Sequence, residues 1–319
     1  MSSEQTAHKH VPASFFGMPL GLVALGLAWR SAAAIWSVPK SISEILIWSG
    51  SALWALLFII YLGKWLLRRA DAQEELQHPI QCCFIGLAGV VGLLVSIGLS
   101  TEFRALSVGA FCLGFAWTLA FAVYRTGRLW MGDRSPESTT PVLYLPTVAG
   151  MLVTASAVTA LGYRDWGQLA FGAGLFSWLA IESVLLHRLY TASALAPALR
   201  PTLGVQIAPS AVAAVAYLNV SSGGADIFAH ALIGYAILQA LIVIRLFPWL
   251  REAGLTPAWW SFSFGAAALP TAAMKMIAAG DGGAVAVLAP YLFAAGNLMI
   301  AAIATVTIVL IARGRLLPG

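Results

Sequence analysis

The sequence predicts an all-α integral membrane protein, and three observations carry that reading: its composition, a succession of apolar segments about 20 residues long, and the confinement of most Lys and Arg residues to the gaps between them. A soluble domain is about one quarter charged. This chain of 319 residues is 10% charged and 60% hydrophobic, with a mean hydropathy of +0.85. Such a chain has too little polar material to cover a water-exposed surface. The net charge of +5 and pI near 9.3 would suit a polyanion. Here, however, the basic residues sit where they orient membrane helices, so nucleic acid is not an expected partner.

In chain order, Met1 to Val11 is polar and carries Glu4, His8, Lys9 and His10. It lacks the apolar core and small-residue cleavage site of a secretory leader, so residues 1–14 are expected to remain as a cytoplasmic tail. Spanning windows then fall near 15 to 36, 43 to 67, 80 to 99, 103 to 125, 143 to 161, 166 to 187, 202 to 220, 226 to 247, 259 to 277 and 284 to 312. These make one transmembrane domain of ten helices, 15–312, followed by a cytoplasmic tail, 313–319. The remaining polar stretches are too short for a second, soluble domain. The gaps 68 to 79, 126 to 142, 188 to 201 and 248 to 258 are longer and basic, and the intervening ones are short, so the spans group as five helical hairpins.

The side carrying the long gaps and both termini holds Lys9, Lys64, Arg68, Arg69, Arg125, Arg128, Arg134, Arg188, Arg200, Arg245, Arg251, Arg313 and Arg315, 13 of the 18 basic residues. The opposite side keeps Arg30, Lys40, Arg104, Arg164 and Lys275. The positive-inside rule then puts both termini in the cytoplasm, which requires an even number of spans. Trp36, Trp65, Trp130, Trp166, Trp249, Trp259 and Trp260 lie near span ends, where amphipathic rings prefer the interface.

A helix breaker recurs in the first helix of every hairpin: Phe16-Gly17-Met18-Pro19, Gly86-Leu87-Ala88-Gly89, Tyr144-Leu145-Pro146, Ile207-Ala208-Pro209 and Phe262-Ser263-Phe264-Gly265. The steps from Pro19 to Gly89, Pro146, Pro209 and Gly265 are 70, 57, 63 and 56 residues, close to one hairpin each. Proline removes a backbone donor and glycine weakens a helix locally, so a membrane chain places them where neighbours or a wet cavity satisfy the freed carbonyls. Five kinked first helices are therefore expected to ring a central axis. The second helices are longer, lack a central proline and suit an outer, lipid-facing ring.

Charged and polar residues inside spans are the chemical candidates. Glu182 either pairs with a buried donor or with His187 or Arg188, or takes part in transport. Lys275 and Arg245 stand near helix ends and are expected to snorkel to the interface. His230, in an outer helix, is expected to be a satisfied or interfacial histidine. Thr147, Gln206, Ser210 and Ser263 on first helices offer donors either to an anion or to neighbouring helices. Cys82, Cys83 and Cys112 lie in apolar runs without metal-ligand spacing and are expected to be packing residues. There is no phosphate-binding loop, HExxH or GxSxG motif, so neither an enzymatic function nor a cofactor is expected.

Several ordered blocks resemble one family. They run from Phe15-Phe16-Gly17-Met18-Pro19-Leu20-Gly21 through His78-Pro79, Leu143-Tyr144-Leu145-Pro146-Thr147-Val148-Ala149, Leu161-Gly162-Tyr163 and Gly172-Ala173-Gly174. They continue through Leu203-Gly204-Val205-Gln206-Ile207-Ala208-Pro209, Arg245-Leu246-Phe247-Pro248-Trp249 and Trp260-Ser261-Phe262-Ser263-Phe264-Gly265. In these the chain resembles the tellurite-resistance and dicarboxylate transporter family, in particular its bacterial tellurite-resistance branch, which is related to the slow anion channel of plant guard cells. The resemblance implies ten helices in five hairpin repeats with quasi-fivefold symmetry, first helices lining a central pore, a homotrimer in the bilayer, and a pore gate on Phe264. A bulky ring one residue before a helix breaker can plug a narrow apolar path. Two departures stand out: Gly89 replaces a proline common in relatives, and Glu182-Ser183 replaces a Glu-Pro pair. The expected function is a gated anion channel of a bacterial inner membrane, passing small inorganic or organic anions. The alternatives are a secondary carrier exporting tellurite, other small anions or C4-dicarboxylates, with Glu182 coupling to protons, and a membrane scaffold without flux.

Overall fold

The computed structural model describes residues 11–132 and 135–317. Most of the expected N-terminal tail, with Lys9, lies outside the described residues, as do Arg134 and the last two residues of the C-terminal tail. Among the described residues the chain is all-helical. Its hairpins pair α1 (Gly17–Ile35) with α2 (Lys40–Leu67), α4 (Leu87–Leu99) with α5 (Arg104–Trp130), and α6 (Gly150–Ala160) with α7 (Arg164–Thr191). The last two pair α8 (Ala208–Val220) with α9 (Ile227–Leu250) and α10 (Ser263–Ala278) with α11 (Ala284–Ala312). A short helix, α3 (Arg69–Gln77), follows α2. It occupies what reads in sequence as a basic gap, because its polar residues carry no membrane signal.

The first helices meet in a closed ring, α1 against α4, α4 against α6, α6 against α8, α8 against α10, and α10 back against α1. Each second helix lies in the groove between its own partner and the next member of the ring: α2 also touches α4, α5 touches α6, α7 touches α8, α9 touches α10, and α11 touches α1. An inner ring is thereby sheathed by an outer one.

Burial follows this order. The inner spans Ala13–Ile35, Gln81–Leu99, Pro141–Ala160 and Pro197–Val220 are 56%, 89%, 78% and 72% buried, whereas the five outer spans are 22% to 33% buried. The outer helices turn large apolar side chains away from the protein, Phe176 and Leu298 each being 72% exposed. A surface of that kind is stable only against hydrocarbon.

Among the described residues, nine helices are long and apolar enough to cross a membrane. The segment containing α10 is not one of the nine. It is built from Ala, Gly, Ser and Pro and carries Lys275, which lowers its hydropathy although its side chains are largely buried inside the ring.

Every inner helix enters through a turn wound differently from the α-helix that follows. Ala13–Phe16 leads into α1, Gln81–Gly86 into α4, Pro197–Ile207 into α8 and Pro257–Phe262 into α10 as 3-10 turns, and Leu145–Ala149 leads into α6 as a π-turn. Pro19, Gly89, Pro209 and Gly265 fall in the first turn of the following α-helix, and Pro146 lies within the π-turn. Each lies at or beside the change of winding, where proline's missing N–H, or glycine's looser backbone, interrupts the regular i→i−4 ladder.

At the entry to α4, two carbonyls find side-chain donors on outer helices. The Trp117 indole of α5 donates to the Ile85 carbonyl at 2.9 Å, and Trp54 of α2 donates to the Ala88 carbonyl at 2.8 Å. Lipid offers no substitute for these bonds. Gly89 is needed for a different reason, since a Cβ there would lie 2.6 Å from the Gly114 carbonyl oxygen, and one on Gly114 would lie 2.8 Å from the Gly89 oxygen. The α4 and α5 backbones therefore touch directly, the close packing on which helix association in membranes relies.

Two sequence expectations change here. Trp260 is not an interfacial ring: it is buried and donates its indole N–H to the Thr307 hydroxyl at 2.8 Å. Several outer helices run beyond their apolar windows, α5 to Trp130 and α7 to Thr191, because a helix continues into water wherever its backbone bonds remain internal.

Candidate functional site

Two cavities lie within the inner ring. The larger, of about 670 Å³, is bordered by the lead-in turns and N-terminal halves of all five inner helices, including Leu20, Leu87, Val148, Pro209 and Phe264. The smaller, of about 400 Å³, is bordered by their middle and C-terminal parts, including Ala24, Leu94, Val153, Val215 and Ala268. Phe264 and Val212 are the residues common to both linings.

The local sequence explains why Phe264 and not Phe262 takes this place. Phe262 ends the 3-10 turn, is 2% exposed, and stacks at Gly204, where an added Cβ would lie 2.3 Å from its ring. Phe264 is the second residue of α10 and borders cavity space on both sides. The next residue, Gly265, lets α10 cross the start of α8: a Cβ at Gly265 would come within 2.8 Å of the Ile207 Cβ. The ring is thus carried on a closely packed crossing.

The two cavities differ chemically. The larger is lined mostly by apolar groups, with Gln81, Tyr144 and Thr202 among its polar residues and Arg315 and Leu316 from the C-terminal end of the chain. The smaller gathers Ser31, Ser156, Thr159, Asn219 and Thr271 with two basic residues, Arg30 and Lys275. Arg30 is committed to other groups, donating to the Gly98 carbonyl at 2.7 Å and to Glu44 at 2.8 Å. Lys275 has no ion pair or side-chain hydrogen bond among the described residues. It lies in the last turn of α10 and borders this cavity.

Glu182 stands apart from both cavities. It lies on α7, is 8% exposed, and accepts hydrogen bonds from the Tyr144 hydroxyl at 2.5 Å, the Trp178 indole at 2.8 Å and the Gln206 amide at 3.0 Å. The Tyr235 hydroxyl and, at 3.5 Å, the Gln239 amide complete the set. Neither His187 nor Arg188 is its partner. Five donors from α7, α9 and the lead-ins of α6 and α8 converge on one carboxylate, whose lone pairs they fill. A buried carboxylate needs such partners, and this one fastens the third hairpin to the fourth.

Gln206 also donates to the Tyr144 hydroxyl at 3.1 Å and is committed to that network. Thr147 is half-buried and borders neither cavity. Ser263 donates to the Trp260 carbonyl at 2.7 Å, and the buried Ser210 hydroxyl has no protein partner among the described residues. His230 of α9 meets Asp281 of the α10–α11 loop at 2.8 Å, which makes it a satisfied histidine. The sequence reading named Gln206, Arg30 and Lys275 but not that Gln206 joins Tyr144, Trp178, Tyr235 and Gln239 around Glu182, nor that Arg30 and Lys275 border one cavity. Only Trp178, one helical turn before Glu182, gave a local signal.

The family model for voltage-dependent anion channels, SLAC1, matches residues 10–308. The chain is 34% identical over 306 residues to the "Tellurite resistance protein TehA homolog" of Haemophilus influenzae, covering 96% of this chain and 92% of that protein. It is 24% identical over 311 residues to the S-type anion channel SLAH2 of Arabidopsis thaliana, covering 93% of this chain and 58% of the plant channel. The plant channel SLAH3 is likewise 24% identical over 268 residues, or 79% of this chain and 41% of that one.

Proposed function

Because this chain belongs to the SLAC1 family of voltage-dependent anion channels, a family of membrane anion channels and transporters, we propose that it is a gated anion channel of a bacterial inner membrane. Its ten spans are arranged with quasi-fivefold symmetry, its termini face the cytoplasm, and its inner helices line the conducting path. Phe264 closes that path at rest. The observation that carries this reading is that Phe264, the one aromatic residue among the two common to both cavity linings, is the bulky side chain best placed to block a path through them.

An apolar ring at a constriction excludes water, and an anion that must shed its hydration shell then faces a large barrier. Reorientation of one side chain joins the two cavities. Pro19, Gly89, Pro146, Pro209 and Gly265 set the entry geometry of the inner helices, and Glu182 holds two hairpins in place without touching the ion. Homotrimers bury part of the apolar outer surface. The carrier alternative draws on the H. influenzae relative, whose name connects it with tellurite.

The test is anion flux through reconstituted protein, comparing wild type with Phe264→Ala for chloride, nitrate and a dicarboxylate. A large current in the variant and little in wild type supports the channel. Flux at carrier turnover in both supports the alternative, and silence in both removes Phe264 from the gate.

A further inference from the structure

We propose that the smaller cavity is a binding site for a small monovalent anion, with the Lys275 ammonium as its counter-charge. The inference rests on the anion-permeation reading and adds a place where the ion pauses.

Lys275 and Arg30 are the charged residues bordering this cavity among the described residues, and both are basic. Their situations differ. Arg30 spends its guanidinium on the Gly98 carbonyl, at the end of α4, and on Glu44, so its charge is neutralised locally. Lys275 sits just as close to a helix C-terminus, yet its side chain caps no carbonyl and meets no acid among the described residues. The acid nearest along the chain, Asp281, is engaged with His230 and with the Gly283 N–H. Inside a membrane protein an ammonium without a partner is costly, and it is retained where it faces water or a ligand of opposite sign.

The remaining cavity wall fits such a ligand. Ser156 and Asn219 border the same space and can donate hydrogen bonds, whereas Thr159 and Thr271 give their hydroxyl protons to carbonyls of their own helices. A volume of about 400 Å³ accommodates a chloride or nitrate with several waters. One mobile charge with weak neutral donors binds without trapping, which conduction requires. Phe264 forms the inner wall, so an anion held here waits beside the proposed gate.

The experiment reads binding without flux. Purified protein in detergent is melted across a titration of potassium chloride or nitrate, with potassium gluconate keeping the ionic strength constant. A ligand that binds only the folded state raises the melting temperature saturably. Wild type, Lys275→Arg and Lys40→Met, the last outside the cavity, are expected to show the same saturable rise. Lys275→Met is expected to lose it or to need about tenfold more anion, the scale of losing one close charge contact. The gluconate baseline shows whether Lys275→Met folds, and Lys275→Gln replaces it if it does not. An unchanged titration in the neutral variant overturns the site, as does the absence of any saturable rise in wild type. The flux assay fails separately: a Lys275-dependent rise in a protein silent in all flux assays leaves the site standing and removes the channel.

Discussion

The inner and outer helices of each hairpin draw on the same apolar residues but solve different problems. Outer helices are continuous α-helices of 24 to 29 residues whose apolar faces remain largely exposed. Inner helices are shorter, change winding at their entry, and bury most of their surface against one another. The outer ring answers to the bilayer, where any apolar side chain of moderate size serves. The inner ring answers to its neighbours, where backbones touch and each transition carbonyl must find a donor. Sequence tolerance is therefore expected to differ sharply between rings.

The largest expected effect is at the crossing of α4 and α5. Gly114→Leu puts a side chain where a Cβ alone would lie 2.8 Å from the Gly89 oxygen and 2.9 Å from the Leu93 nitrogen. Backbone cannot yield as a side-chain tip can, so a loss of about 4 kcal/mol or more is expected, seen as failure to purify as a folded species. Gly172→Leu makes the matching test on the outer ring, because nothing stands within 4 Å of a Cβ there, and it is expected to melt with wild type.

Next comes Glu182→Ala. It strands the Tyr144, Trp178, Gln206 and Tyr235 donors, and about 3 kcal/mol of stability is expected to go with them. Thermal melting measures this, while relative anion permeability in the Phe264→Ala background is expected to stay unchanged. A changed permeability order would make Glu182 part of the ion path.

Phe176→Ala, on the lipid-facing side of α7, is expected to shift stability by no more than about 0.5 kcal/mol. A larger loss would mean that this face is covered by protein, as in an oligomer.

The smallest effect lies outside the membrane. The Tyr217 hydroxyl, and then the Ala229 N–H that Asp226 caps, hold the Asp226 carboxyl below its usual range. A folded-state pKa below the unfolded one contributes stability that is present at neutral pH and is lost as pH falls through the folded value. Melting temperature is thus expected to drop slightly more in wild type than in Asp226→Asn below about pH 4, where free aspartate begins to protonate.

The two-ring plan was legible because its signals are local: proline or glycine near the start of each first helix, and longer unbroken second helices. Phe264 was singled out over Phe262 by the family resemblance, through the Phe262-Ser263-Phe264-Gly265 block, with its place before Gly265 in support. The winding of the lead-in turns was not legible, since 3-10, π and α segments share the same apolar composition. Helix α3 was missed because a short polar helix held by the Lys64–Glu75 pair, 2.8 Å apart, reads as a loop. The donors around Glu182 lie 24 to 57 residues away along the chain, apart from Trp178, and only the folded ring brings them together. That Lys275 lines a cavity was not legible for a related reason. Its position near a helix end suggested an interface, and nothing local indicates that the end faces a cavity.

The central claim is that a single ring separates two cavities of one path, and it is tested most directly by conductance across the series Phe264→Leu, Phe264→Val and Phe264→Ala in planar bilayers. Anion current is expected to rise stepwise as the side chain shrinks, from near zero in wild type, with no such trend in the parallel series at Phe262. A current independent of side-chain size at Phe264, or one that follows Phe262 instead, would contradict it.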